Sequence, residues 1–146
     1  MPRRADRLPD LVVEDAPAAA DVALLEERVA AAAIAATGSA AEQEFAIFAR
    51  DDDGRILAGV SGIVWGGACE LQAMWVDESL RHRGLAGALI TGAEAEARRR
   101  GCALVTFHAY DLLARGLYDR LGYETVGVIE NCPAGSASRW YRKVLY

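Results

Sequence analysis

The stretch "DESLRHRGLAGALITGAEAEARRRG", residues 77–101, opens as a polar turn and runs on into a helix pattern with an unusual start. Arg81, His82 and Arg83 are followed at once by Gly84, Leu85, Ala86, Gly87 and Ala88. Arginines favour the other end of a helix, where the macrodipole is negative. At the N-terminal end, which carries partial positive charge and unbonded N–H groups, they suit an expected anion. Residues 81–93 contain no carboxylate, and the small side chains let an anion approach the backbone. A pyrophosphate fits that requirement. Two other phosphate loops do not fit the stretch: Gly87 and Gly92 have P-loop spacing, but Ala93 stands where the phosphate-reading lysine belongs. A dinucleotide fingerprint would need Gly-x-Gly-x-x-Gly after the first strand of a parallel βαβ unit. A solvated, loosely packed helix start is the alternative these residues leave open.

The rest of the helix supports itself. Glu94 with Arg98 and Glu96 with Arg100 lie four apart, acid first, an order worth a few tenths of a kcal/mol per pair. Arg98, Arg99 and Arg100 suit the negative helix end, and Gly101 closes it.

Working outward, residues 45–50, 56–65 and 69–76 are β-type runs joined by Asp51-Asp52-Asp53-Gly54 and by Gly66-Gly67, so a meander of three antiparallel strands leads into the quoted stretch. Before it, the alanine-rich residues 16–36, with Leu24, Leu25, Arg28, Val29 and Ala32, read as an amphipathic helix opened by Asp15 or Asp21 and closed by Gly38. After it come a strand at 102–109, a short helix at 112–121 stopped by Gly122, and a strand at 123–129. A loop at 131–135 and a final strand at 139–145 complete the chain. The class is α/β (α+β), a mixed sheet with helices.

At 146 residues one domain, 1–146, is expected, long enough to bury a core without staples. The net charge of −5 argues against a nucleic-acid surface and favours small polar or cationic partners. Cys69, Cys102 and Cys132 are odd in number and lack paired ligand spacing, so reduced cysteines and no metal are expected. No apolar run approaches the roughly 20 residues of a membrane span, and the N-terminus lacks a signal-peptide core. A soluble cytoplasmic protein without a membrane partner is the expectation. The apolar and aromatic final strand, with Trp140 and Tyr146, suggests a homodimer.

Two blocks carry a family resemblance. Arg81-x-x-Gly84-x-Ala86, after the strand Leu71-Gln72-Ala73-Met74-Trp75-Val76, resembles the pyrophosphate loop of the GNAT superfamily of acyl-CoA N-acyltransferases. Leu117-Tyr118-Asp119-Arg120-Leu121-Gly122-Tyr123 resembles its second signature block, and the strand order agrees across nearly the whole chain. The closing segment, from Tyr123-Glu124 through Pro133-x-Gly135 to Arg142-Lys143-Val144-Leu145, is similar to small bacterial members.

The resemblance implies a mostly antiparallel sheet splayed in a V and flanked by helices, with acetyl-CoA as cosubstrate and no metal. It places the cosubstrate's arm along the backbone of Met74, Trp75 and Val76. The pyrophosphate falls on the turn of Arg81, Arg83, Gly84, Leu85, Ala86, Gly87 and Ala88. Asp111 stands about where members often carry an asparagine that holds the arm; it can accept from an amide N–H but cannot donate. Leu112-Leu113-Ala114 replaces the Phe-Gln-Ala of the small bacterial subset.

Acyl transfer to an amine needs a free lone pair, an amide donor for the oxyanion and a proton for the thiolate. An alkyl amine, with a pKa near 10.4, must first lose a proton. Glu70, expected to share a strand face with Gln72 and Met74, is the candidate base, with His108 as a second; His82 reads as solvated. The N–H of Met74 or Trp75 is the candidate oxyanion donor, and Tyr118 the candidate acid and a further cofactor contact. The implied activity is an N-acetyltransferase acting on a small-molecule or peptide amine. The alternative is a non-catalytic acyl-CoA-binding regulatory module on the same fold.

Overall fold

A computed structural model of the chain describes residues 8–111 and 115–146; the readings made for Leu112, Leu113 and Ala114 lie outside them. The chain divides after Ala36 into two compact units. In the first, helix α1 (Ala19–Thr37) begins later than the alanine-rich composition implied, so Asp21 stands within its first turn and does not cap it.

The second unit is built on β1 (Gln43–Arg50), β2 (Ile56–Trp65), β3 (Ala68–Val76), helix α2 (Leu85–Arg99) and β4 (Leu104–Tyr110). The short helix α3 (Arg115–Arg120), β5 (Glu124–Glu130) and β6 (Ala137–Val144) follow. The six strands form one sheet in the order β1-β2-β3-β4-β6-β5. Among the described residues, only β3 and β4 pair in parallel. The β2–β3 turn places Gly66 at φ 60° and Gly67 at φ 80°, the two left-handed positions of a type I′ hairpin, which accounts for the glycine pair.

Helix α2 covers one face of the sheet with the stripe Leu89, Ile90, Ala93, Ala97, spaced by three and four residues. Leu89 and Ala93 pack with Ala58 and Val60. Ile90 and Ala97 pack with Cys69, Val105, Phe107, Tyr118 and Tyr141. Fully burying a side chain such as Ile90 contributes roughly 1.5–3 kcal/mol. The same stripe carries Glu94 inward, so the expected i,i+4 pair with Arg98 is made by a buried carboxylate. Its carboxylate lies 3.0 Å from Lys143 Nζ and 4.0 Å from Arg98 Nη2, so the principal partner is on β6. The other acid behaves as expected: Glu96 accepts from Arg100 and also from Arg99, each at 2.6 Å.

The final strand β6 is bonded to β4 on one side and β5 on the other, so its backbone is not available to pair with a second copy, and β1 and β5 are the sheet edges. Among the described residues, no helix is long and apolar enough to cross a membrane.

Candidate active site

Strands β3 and β4 share three rungs, Ala68 with Leu104, Cys69 with Val105 and Glu70 with Thr106. Beyond Glu70 they part, β3 running on to Val76 and β4 to Tyr110, which gives the expected V. The parting opens a cavity of about 280 Å³, lined among others by Leu71, Gln72, Met74, Ile90, His108 and Tyr118.

The backbone of β3 is prepared on the cavity side. Asp77 N–H donates to Leu57 O at 2.8 Å, while Val76 pairs with Ala58 and Trp75 with Gly59. In an antiparallel ladder this phase commits the peptide groups of Trp75 and Asp77 to β2 and turns those of Met74 and Val76 away from it. Of the two expected amide donors, Met74 thus faces the wedge and Trp75 faces β2. Arg81 Nε reaches back to the Val76 carbonyl at 3.1 Å, tying the basic turn to the strand end.

A β-bulge interrupts β3. Gly62 pairs with Leu71 but its neighbour Ser61 pairs with Ala73, leaving Gln72 as the extra residue. The bulge resets the alternation: Cys69 and Leu71 face the core before it, and Met74 and Val76 after it. Glu70 and Met74 therefore fall on opposite faces, contrary to the simple two-residue period. Glu70 is exposed on the face away from α2, the face that also carries His108.

The turn before α2 differs from a basic first helical turn. Asp77 caps a single 3-10 turn, Glu78–Leu80, by accepting from Ser79 N–H. His82 then takes φ 62°, and Gly84 takes φ 79° as the N-cap of α2, so Arg81, His82 and Arg83 all precede the helix. A Cβ on Gly84 would meet nothing within 4 Å, and one on Gly87 only Leu117 Cδ1 at 3.8 Å. The first helical bond runs from Ala88 N–H to Gly84 O, leaving the N–H groups of Leu85, Ala86 and Gly87 without a helical acceptor. Arg83 is exposed and makes no ion pair among the described residues. This open, cationic cradle fits a pyrophosphate.

Tyr118 stands on the helix face, its ring 4.7 Å from Phe107 and 5.0 Å from Tyr141. It is 6% exposed, and burial raises its pKa, with Tyr141 adding to the effect. Its hydroxyl has no hydrogen-bond partner among the described residues, while the residue lines the cavity. The phenol is thus kept protonated. Asp111, after β4, accepts from Arg139 Nε at 2.6 Å, so its carboxylate already holds a cation. His108 is exposed, its ring 4.9 Å from Trp140. His82 is exposed, as read from the sequence.

Three features escaped sequence reading: the bulge at Gln72, the Arg139–Asp111 pair and the Glu94–Lys143 pair. The first needs the register with β2, and the pairs join residues 28 and 49 positions apart. The one available signal was Glu94 itself, which falls one residue after Ala93 in the apolar stripe.

A sheet splayed from a parallel junction, an open strand edge along the wedge and a cationic turn at the following helix define the acyl-CoA N-acyltransferase class. The sequence profile of the acetyltransferase (GNAT) family matches residues 8–123, and the chain belongs to that family. An acetyltransferase of Agrobacterium fabrum is 29% identical over 110 residues, 75% of this chain and 80% of that protein. The blasticidin-S acetyltransferase of Streptomyces morookaense is 33% identical over 102 residues, 69% of this chain and 75% of that protein. The crystal structure of an acetyltransferase from Agrobacterium tumefaciens superposes with a TM-score of 0.88 at 26% identity, covering 94% of this chain and all of that one. The protein is an acetyl-CoA-dependent N-acetyltransferase.

Proposed function

We propose that the chain moves the acetyl group of acetyl-CoA to an amine of a small molecule or peptide by direct attack. Tyr118 acts as the acid and Glu70 as the base. In this reading the amine nitrogen bonds to the thioester carbon and the carbon–sulfur bond breaks. The Tyr118 hydroxyl gives its proton to the departing thiolate, and Glu70 takes the amine's proton directly or through water. The Met74 N–H is aimed to stabilise the charge that develops on the carbonyl oxygen. Arg81, Arg83 and the small residues 84–88 receive the pyrophosphate, and the wedge-facing peptide groups of Met74 and Val76 receive the arm.

The observation that carries the reading is the uncommitted Tyr118 hydroxyl at the cavity; Glu70 lies on the other sheet face, beside the cavity-lining Leu71 and outside the lining itself. An acid for the leaving group and a base for the incoming group then stand on opposite faces of the sheet. The relative named for blasticidin-S favours a small-molecule acceptor. The test is thiol release from acetyl-CoA over a panel of amines, comparing the natural chain with Tyr118→Phe. A fall in kcat of at least tenfold with unchanged acetyl-CoA affinity is expected, because the ring still packs. Binding without turnover of any amine would overturn the catalytic reading.

The same proposal includes a homodimer in the cytoplasm. The edge strand β5 leaves Val126, Val128 and Ile129 at 52%, 40% and 51% exposure, an apolar edge of the kind a second copy covers. All three cysteines are free, as a reducing compartment keeps them.

A further inference from the structure

We infer that the part-buried Glu94–Lys143 pair is a positioning device for Tyr118, fixing the short helix α3 against the helix that starts at the cationic turn. The inference rests on Tyr118 being the acid.

Helix α3 has six residues, too few to persist without outside support. Its support comes from β6. Lys143 Nζ donates to the Leu121 carbonyl, just past the end of α3, at 2.8 Å. The same ammonium donates to Glu94 Oε1 and Oε2, each at 3.0 Å. Three donors meet three acceptors, so the group's hydrogen-bonding capacity is filled. Glu94 is 4% exposed, and its Oε1 also accepts from the Tyr123 hydroxyl at 3.1 Å. One side-chain cluster thereby joins α2, the end of α3, the start of β5 and β6.

The geometry aims this cluster at Tyr118. On β6, Tyr141 lies two residues before Lys143 on the same face, and its ring is the one 5.0 Å from Tyr118. The Tyr118 carbonyl accepts from Tyr123 N–H at 3.1 Å, while the Tyr123 side chain touches Glu94. Tyr118 is therefore held by its ring, by its backbone and by the end of its helix, all referred to Glu94 and Lys143. A buried ion pair is a weak source of net stability, because apolar residues of similar volume often serve as well, but its directional bonds select one arrangement. A proton donor needs that selection, since small misplacement of a reacting group is costly in rate.

The test is a mutant cycle on the full chain. Lys143→Met alone leaves the buried Glu94 carboxylate with only Arg98 at 4.0 Å and the Tyr123 hydroxyl, and risks unfolding, so the pair is removed together as Glu94→Gln with Lys143→Met. That double change is made in the natural chain and in Tyr118→Phe, with folding checked by circular dichroism. In the natural background, kcat should fall about tenfold, with the KM for acetyl-CoA within about twofold. In the Tyr118→Phe background the same change should have no further effect on kcat. A lowered melting temperature with unchanged kcat, or equal losses of kcat in both backgrounds, would overturn the positioning role and leave the acid assignment standing. Full turnover in Tyr118→Phe alone would overturn the acid assignment, and this inference with it.

Discussion

Tyr118 and Glu70 stand on opposite faces of the splayed sheet, Tyr118 packed on Phe107 beneath α2 and Glu70 exposed beside the last rung with Thr106. The rung with Thr106 sets Glu70 on the face away from α2, and the bulge at Gln72 then turns Met74 to the core face, so Glu70 and Met74 do not share a face. A single cavity between the strands reaches both faces, with Phe107 and Tyr118 lining it from one and His108 and Tyr110 from the other.

Glu70→Gln should therefore slow acetylation without weakening acetyl-CoA binding, and the loss should depend on pH. Near neutral pH an alkyl amine is protonated and needs a base; above about pH 9 a growing fraction is already free. Comparing kcat/KM of the two proteins from pH 6.5 to 9.5 should show the gap closing as pH rises. A gap of constant size would remove Glu70 from proton transfer and turn attention to His108.

Gly84 tests the cosubstrate turn. At a hundred times its dissociation constant, acetyl-CoA should stabilise the fold by about 2.7 kcal/mol. Gly84→Glu should abolish that gain, placing a carboxylate where a pyrophosphate belongs. The left-handed φ of 79° makes any side chain there strained, so Gly84→Asn, which tolerates that region, is the control. Thermal shift should show Asn keeping part of the response and Glu none. A full response in Gly84→Glu would place the pyrophosphate elsewhere.

Much of the sheet was legible because its strands carry local signals. The Gly66-Gly67 hairpin, the runs flanking it and the α2 stripe each follow from a period or a turn within a few residues. The parallel junction and the V entered through the resemblance, since pairing between residues 68–70 and 104–106 has no local signature. What local pattern could not carry was phase and partnership. A bulge shifts alternation by one residue without changing composition, so Glu70 was assigned the wrong face. The i,i+4 pair of Glu94 with Arg98 was legible, but its closer partner Lys143 is brought to it by β6, which no local pattern shows. The helix start was misplaced for a similar reason: His82 in the left-handed region is set by the turn, not by the preference of the residue.

The cysteines should separate by burial. Cys132 is exposed, whereas Cys69 and Cys102 are buried, and burial, with Cys102 nearby, pushes the Cys69 thiol up to about 11. Thiolate, not thiol, attacks disulfide reagents, so the two buried groups are doubly protected. Titration of the native protein with an aromatic disulfide should label Cys132 alone, with the other two reacting only in denaturant. Fast labelling of Cys69 in the native state would mean that the junction of β3 and β4 opens readily.

Acid stability offers a test of the α2 surface. Hydrogen bonds from Arg99 and then Arg100 hold the Glu96 carboxyl down to about 2, against an ordinary value of 4.5. A depressed pKa stabilises the folded state above the unfolded value, and that contribution is lost as pH falls from about 4.5 toward 2. Glu96→Gln lacks the titration, so the variant should melt below the natural protein at pH 6 and the difference should shrink as pH drops through that window. The carboxylate is partly exposed, so the effect should also weaken in high salt, where surface charge pairs are screened. Melting curves from pH 6 to 2.5 at low and high ionic strength measure both trends. A difference in melting temperature independent of pH would show that the Arg99 and Arg100 contacts do not shift the titration of Glu96.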